Sequence, residues 1–489
     1  MSGQTLTDFL AALDDAGDLI RIPAEVDPQL ELAAIVRAVT SQRDPAPAIL
    51  FEKVRGSTFP AVANLYGSHS RLCRILRTQD FDELADRIGS LLRPEFPDGW
   101  LDAVRLVPRF AELARIPPET VSTGDCQQVV RMGRDVNLFD LPVPQFWPGE
   151  AGPSLTAGQV FTVDPETGAR NVGLYPLEVR NRTSLIVHWN PRQGGWRHFQ
   201  AWKAAGRQMP VAIVLGGDPA GLFTAGAPLP ASADECLLTG LLTGERVSLV
   251  RCRELELTVP ASAEFVIEGR IDPAAPLETA GPLAGPTGSY RLPEELPLLE
   301  VTALTHRSNP VFPILVPGAD SPETHWTGRA HERLLLPFVR LLCPEVVDLH
   351  QPLHGAFRNL LFVSLKKVYP WQARRVMQAL WSFPPLMSTK IIVAVDDDVD
   401  VRDESAAWRT ALASVHPGRD TFLSDGPGDV CDHAAPEHGL GRKLGIDGTR
   451  KLPGEGHPRT WPEPLISSPD MDERVRLRWA DYRIPLDSP

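Results

Sequence analysis

The sequence predicts a multidomain α/β (α+β) protein, and three features of its patterning carry that prediction. Between about residues 155 and 317, short apolar runs bounded by Gly, Pro and Asp follow one another with few helices between them, which calls for a sheet closed or split into a barrel. After residue 340, strand-like and helix-like runs alternate, the pattern of a parallel sheet with flanking helices. Before residue 120, helical periodicity alternates with short apolar runs, as in a small mixed domain. At 489 residues the chain exceeds what one core ordinarily holds, so the expected domains are 1–120, 121–318 and 319–489.

Taken in order, "MSGQTLTDFLAALDDAGDLIRI" reads as an amphipathic helix capped near Thr5 or Thr7. It has acids where a signal peptide needs bases. Helical spacing recurs over Leu30 to Ala38, Arg71 to Leu76 and Phe81 to Leu92, with a short apolar run, "AILF", at 48–51. Pro-rich "DLPVPQFWPGEAGP", 140–153, is punctuation. The barrel strands expected next are "SLIVHW", "VAIVLGG", "VSLVRC", "EFVIEGRI", "LEVTALTH" and "PVFPILV". "NLLFVSLKK" then leads to a helix whose face is Val376, Met377, Leu380 and Trp381, followed by "KIIVAV" and a second helix from about Glu404. The last fifty residues, rich in Pro and Gly, end in "MDERVRLRW", a charged tail helix suited to packing on another subunit.

Composition removes several function classes. A net charge of −13, spread along the chain, argues against nucleic acid or an anionic membrane as partner and favours small molecules. Six scattered cysteines fit neither a zinc ribbon nor a disulfide scaffold and point to the reducing cytoplasm. The greasiest run, "LLLPFVRLLC" from Leu334, is interrupted by Pro337 and Arg340 and is too short to cross a bilayer. The absence of G-x-S-x-G, a Walker loop and G-x-G-x-x-G weakens hydrolase, NTPase and dinucleotide readings.

Several residues invite a chemical role, and each has an ordinary explanation. The acids at 396–403 are solvated and favour the positive end of the following helix, so they stay outside the site. Ser232 and Glu235 have capping-box spacing. Asn171 stands where a turn former is common. "GLGRKLGIDGTRK", 439–451, with Arg442, Lys443 and Lys451, suits an anionic group, although a solvated loop is the default. His325 and His331 lack an obvious third ligand or base, which favours a structural role.

Together and in order, these segments resemble the UbiD family of decarboxylases, which use prenylated FMN. The likeness is carried by "GRDVNLFDLPVP" at 133, "RNVGLYP" at 170, "ADECLLTGLLTGE" at 233, "LTVPASAEFVIEG" at 257, "GPLAGPTGSY" at 281, "HWTGR" at 325, "RRVMQALWSF" at 374, "KIIVAVDDDVDVRD" at 390 and "GLGRKLGIDGTRK" at 439. After residue 340 it is especially close to the branch acting on polyprenyl 4-hydroxybenzoate.

The resemblance implies an N-terminal α/β domain, a central split barrel of flavin-reductase type that holds the cofactor, and a C-terminal α/β domain that mediates dimers or hexamers. It also implies a divalent ion, usually manganese, on the cofactor phosphate with potassium nearby, and a flavin prenyltransferase as cofactor supplier. Asn171 and Glu235 match two metal ligands, and Gln193 and Lys443 match cofactor-facing positions. Ungapped counting puts Gly194 at the third, histidine, ligand, with His188 or His198 near enough to substitute; His198 is assigned.

The family's Glu-Arg-Glu network is missing: Pro176, Ala280 and Gly285 occupy its three positions. The loop "ETAGPLAGPTGSY", Glu278 to Tyr290, keeps one carboxylate, so Glu278 is the expected acid/base, with His325, His331 and Glu332 as weaker substitutes. The implied activity is non-oxidative (de)carboxylation of an aromatic or α,β-unsaturated acid with a remodelled proton-transfer group. The rival is a catalytically silent flavin-binding or accessory subunit.

Overall fold

In the computed structural model, which describes residues 4–92, 115–230, 233–462, 465 and 467–484, the first helix is Leu6–Asp15. Thr5, not Thr7, caps it: Thr5 Oγ1 accepts from the Asp8 amide while the Asp8 carboxylate accepts from the Thr5 amide. Leu6, Phe9, Leu10 and Leu13 form its buried stripe. The helices Glu31–Gln42, His69–Leu76 and Phe81–Leu92 fall where the spacing places them.

They cover a four-stranded sheet ordered Leu19–Val26, Ala48–Val54, Ala61–Ala63 and Phe312–Ile314. The last strand corrects the sequence reading, which placed "PVFPILV" in the barrel. Phe312–Ile314 instead pairs in parallel with Ala61–Ala63. Phe312, Pro313 and Ile314 are all buried, and a strand buried on both faces has no alternation to say which sheet it joins.

The central sheet has nine strands, in the order Ser154–Leu155, Leu177–Asn181, Ser184–Val187, Leu298–His306, Phe265–Ile271, Met209–Leu215, Gln159–Val163 and Arg170–Leu174, with Val129–Met132 pairing on Leu298–His306. The first and last long strands of that order, Leu177–Asn181 and Arg170–Leu174, are separated in sequence only by Tyr175 and Pro176. The sheet must therefore curl until its ends meet, giving a half-barrel. Leu177, Leu185, Val187, Val211, Ile213, Phe265 and Ile267 fill its interior. "VSLVRC" lies outside it, because Ser248–Arg251 pairs with Glu119–Val121 and Thr258–Pro260 in a separate sheet.

The 21-residue helix Pro322–Leu342 absorbs both "HWTGR" and the greasy run, with Pro337 inside it. Among the described residues no helix is long and apolar enough to cross a membrane. Beyond it, Leu360–Leu365, Ile391–Asp396 and Leu440–Asp447 run parallel, flanked at the sheet edges by antiparallel Val346–His350 and Thr421–Pro427. Val376, Met377, Leu380 and Trp381 are all buried, on the helix Gln372–Ser382. Residues up to Arg450 pack as one unit; those from Lys451 form a second, whose helix Pro469–Leu477 buries none of its residues.

Candidate functional site

The strand Arg170–Leu174 supplies Asn171. Asn171 pairs across the sheet with Thr162, so the two side chains share a face. Thr162 Oγ1 lies 2.9 Å from Nδ1 of His198, on the helix Gly194–Ala204, which brings His198 to that same face. The tautomer in which Nδ1–H donates to Thr162 leaves Nε2 free as a ligand atom. The helix approaches closely because it starts with two glycines. A Cβ at Gly194 would lie 1.7 Å from Asn171 Oδ1, and one at Gly195 would lie 2.3 Å from Trp189 Nε1.

Glu235 reaches the same strand from another helix, Glu235–Thr243, accepting from the amide of Val172 at 3.0 Å. The capping role foreseen for it belongs to Asp234, whose carboxylate accepts from the Cys236 and Leu237 amides; Ser232 lies outside the described residues. Asp234 also pairs with Arg170 at 2.5 Å, tying the helix start to the head of the strand.

The electrostatics suit a hard cation. Burial pushes the Glu235 carboxyl up to about 7, against which its backbone hydrogen bonds are insufficient. Burial holds the His198 imidazole below its ordinary value, hence neutral. Asn171 Nδ2 is buried without a hydrogen-bond partner among the described residues. A desolvated carboxylate and a neutral imidazole are oxygen and nitrogen donors that a divalent ion would accept; the Asn171 amide nitrogen is itself a hydrogen-bond donor, so only the amide oxygen would join them. No group of three or more His, Cys, Asp or Glu gathers among the described residues, so an ion here needs the amide oxygen as well.

Gln193 precedes the Gly194–Ala204 helix, and its Oε1 accepts from the Asn190 amide, which holds the turn rather than reaching outward. Beside it, Arg192 donates to the carbonyls of Gly428 and Gly439, fastening this turn to the C-terminal sheet. That contact brings Lys443 close. Lys443 is buried on the strand Leu440–Asp447, donates to the Met387 carbonyl and stands 5.7 Å from the Trp381 ring. Burial first, and the Arg192 charge second, lower its pKa.

The loop from Glu278 to Tyr290 is pinned at two points by buried carboxylates. Glu178 accepts from the Gly281 amide at 2.7 Å, and Glu150 accepts from the Ala284 amide at 3.0 Å. Ala280 is fully buried against Ile186 and Leu296. At Gly285 a Cβ would lie 2.8 Å from the Ser289 carbonyl, so this turn excludes an acid there. Glu278 is half-exposed on the strand Glu278–Ala280, and its carboxylate lies 3.6 Å from Arg180 Nε.

Sequence reasoning missed the cluster beneath this loop. Arg180 Nη1 donates to Glu178 Oε1 at 2.7 Å, and His188 Nε2 lies 3.2 Å from Glu178 Oε2. Burial pushes the Glu178 carboxyl up, but hydrogen bonds from His188, Gly281 and Arg180 outweigh it and hold the group below the usual range. The alternation of "LEVRN" carries a signal for it, since Glu178 and Arg180 share the face opposite apolar Leu177 and Val179.

Of the weaker candidates, His325 packs against the Trp326 and Phe357 rings with Nδ1 buried and unpartnered among the described residues, whereas His331 and Glu332 have hydrogen-bond partners. His331 Nε2–H donates to the Phe223 carbonyl, and burial lowers the ring to about 4. Glu332 is buried against Arg333 and His350. A cavity of about 190 Å³ adjoins that network, lined by His69, Phe81, Trp326, Arg329, Arg333 and Arg402, with every arginine ion-paired. In the acidic run, Asp403 caps the helix Glu404–Ser414.

Comparison with known proteins places these residues in context. Models of the N-terminal, Rift-related and C-terminal domains of 3-octaprenyl-4-hydroxybenzoate carboxy-lyase match residues 10–92, 119–320 and 325–448. An uncharacterised protein of Aquifex aeolicus is 38% identical over 97% of each chain, and one of Archaeoglobus fulgidus is 36% identical over 99% of each. Among solved structures, the vanillic acid decarboxylase of Sedimentibacter hydroxybenzoicus in its closed form superposes with a TM-score of 0.85 at 26% identity, covering 99% of both chains. The UbiD-class enzyme HmfF of Pelotomaculum thermopropionicum, solved with FMN, gives 0.76 at 29% identity, covering 98% of this chain and 100% of that one. An evolved dimeric form of HmfF was solved with prenylated FMN.

Proposed function

From membership of the UbiD family, to which this chain belongs, we propose that it catalyses non-oxidative decarboxylation, or the reverse, of an aromatic or α,β-unsaturated carboxylic acid with prenylated FMN. The observation that carries the reading is the grouping of Asn171, His198 and Glu235 on and around one barrel strand, with a desolvated carboxyl raised to about 7 beside an imidazole kept neutral by burial. In this proposal those three hold a divalent ion, manganese by preference and with potassium nearby, on the cofactor phosphate. Lys443 and Gln193, near the Arg192 tether, are the positions assigned to the cofactor, Gln193 with its Oε1 already accepting from the Asn190 amide. When bound, the cofactor supplies an electron sink that water cannot provide.

The chain's own residues orient the carboxylate, exclude water and return a proton. Glu278, joined to Arg180, is the loop carboxylate assigned to the proton-transfer group. The proposal takes 1–120 as an N-terminal α/β domain, 121–318 as the cofactor-binding domain and 319–489 as the oligomerisation domain of a homodimer or homohexamer. It places the protein in the cytoplasm beside a flavin prenyltransferase, in keeping with six free, buried thiols.

A second reading is favoured by one observation: apolar Ala280 is packed into the core where the family places an acid. A silent flavin-binding or accessory subunit would look like this. Co-expression with a flavin prenyltransferase separates the two, followed by absorption spectroscopy, metal analysis and hydrogen–deuterium exchange at the carboxylate-bearing carbon of vanillate, 3,4-dihydroxybenzoate and cinnamate. Bound modified flavin with exchange supports the enzyme; a colourless, metal-free protein supports the rival.

A further inference from the structure

We propose that His188, held by Glu178 beneath the Gly281–Pro282 segment, is the residue that delivers the proton to carbon in this chain, with Arg180 and Glu278 completing the charge network that positions it. The inference rests on the carboxy-lyase reading and deepens it.

The placement follows from strand register. Glu178 pairs with Ile186 across the hairpin Leu177–Asn181 and Ser184–Val187, so the two share a face. His188 and Arg180 are two residues further along their own chains, and alternation puts both on that face. Their inward neighbours Leu177, Val179, Leu185 and Val187 fill the barrel, which leaves the Glu178 face to be covered by the loop. Ala280 packs against Ile186, and Gly281 donates to Glu178. The His188 amide donates to the Pro176 carbonyl at 3.0 Å, and a Cβ at Gly281 would lie 3.8 Å from His188 Cε1. His188 is therefore tied through its backbone to Pro176, and its ring lies beside Gly281, the neighbour of Ala280; 176 and 280 are two of the three positions from which the usual charged residues are missing.

The chemistry of the cluster is also complete. Glu178 and His188 expose only 1% and 3% of their side chains. Glu178 receives hydrogen bonds on both oxygens, from Arg180 on Oε1 and from His188 and Gly281 on Oε2, so it stays ionised and serves as a positioning residue. With Nε2–H directed at Glu178, the histidine keeps one tautomer and offers Nδ1 for proton exchange. Glu178, Arg180 and Glu278 form a carboxylate–guanidinium–carboxylate series built from positions other than 176, 280 and 285, and its far end, Glu278, is 42% exposed.

In the forward direction the bond from carbon to the carboxyl group breaks, its electron pair stays on carbon and carbon dioxide leaves. The imidazolium proton then forms the new C–H bond and leaves neutral imidazole, which takes up a proton from water again at Nδ1. The balance is one carboxylate and one proton giving one R–H and one carbon dioxide.

The test uses full-length protein co-expressed with a flavin prenyltransferase. His188→Gln and His188→Asn are expected to keep the flavin spectrum and metal content while deuterium exchange into vanillate, 3,4-dihydroxybenzoate or cinnamate falls by about 10²–10⁴-fold. Nitrogen-15 spectra of histidine-labelled protein without cofactor give a readout independent of turnover: His188 is expected as the Nε2–H tautomer, and Glu178→Gln is expected to disturb that preference. Wild-type protein that exchanges none of the acids overturns the carboxy-lyase reading and this inference with it. Active wild type with equally active His188 variants, or an Nδ1–H tautomer at His188, overturns the inference alone.

Discussion

Replacing Glu235 with glutamine separates the cost of burying a carboxylate from its proposed use as a metal ligand. Burial raises this carboxyl from its ordinary 4.5 to about 7, a displacement worth at most about 3 kcal/mol at 1.36 kcal/mol per unit. A carboxyl raised by folding supports the native state while protonated. Its contribution is therefore full below the unfolded value and lost as pH rises toward 7. Asp218, raised to about 6, and Glu323, raised to about 7, both mainly by burial, tilt the same curve in the same direction, so the informative quantity is the difference between wild type and variant.

In urea unfolding of chelator-treated protein between pH 4.5 and pH 8, Glu235→Gln is expected to gain up to about 3 kcal/mol on wild type as pH rises. Manganese should reverse the order. At pH 8 it stabilises wild type, whose carboxylate is ionised and faces a cation, and has little effect on the variant. Parallel pH curves for the two proteins, or equal stabilisation by manganese, would refute the reasoning.

Other perturbations read different parts of the site. Gly194→Ala, whose new Cβ would meet Asn171 Oδ1, is expected to displace the amide and abolish metal retention, measured by elemental analysis of purified protein. Thr162→Val removes the partner of His198 Nδ1 and, on the record of such supporting contacts, should weaken manganese binding about 10–100-fold in a calorimetric titration. Glu332→Gln breaks a buried network with Arg333 and His350 and should destabilise the fold by about 3–5 kcal/mol in chemical unfolding while sparing the flavin spectrum of the folded fraction. Glu278→Gln should slow deuterium exchange with the spectrum intact; unchanged turnover would remove Glu278 from the mechanism.

Much of the local structure was legible because it depends on neighbours in sequence. The stripe in Phe81–Leu92 and the face formed by Val376, Met377, Leu380 and Trp381 are 3.6-residue repeats, and each helix buries the residues its repeat marks. Thr5 and Asp8 cap from three residues apart. Where sequence reading failed, the missing information was pairing. The apolar triplet Phe312–Ile314 could join any sheet that covered both its faces, and Ser248–Arg251 has strand composition whichever partner it takes. Asn171 and Glu235 each had an adequate local explanation as turn former and cap, so only the likeness to a family drew them together. Asp234 turned out to do the capping and left Glu235 without that role.

The order of residues by itself determined which stretches become helix or strand and which face of each is apolar, and through its motifs it determined the family. Only the tertiary structure decided that Glu178 meets His188 under the loop, that Arg192 ties its turn to the Gly428 and Gly439 carbonyls, that Ala280 packs into an apolar cluster and that a Cβ at Gly285 would meet the Ser289 carbonyl. The physical reason is that periodicity records burial one segment at a time. Which buried faces touch is set by strand register and by the closing of the curled sheet, and these depend on residues tens or hundreds of positions apart.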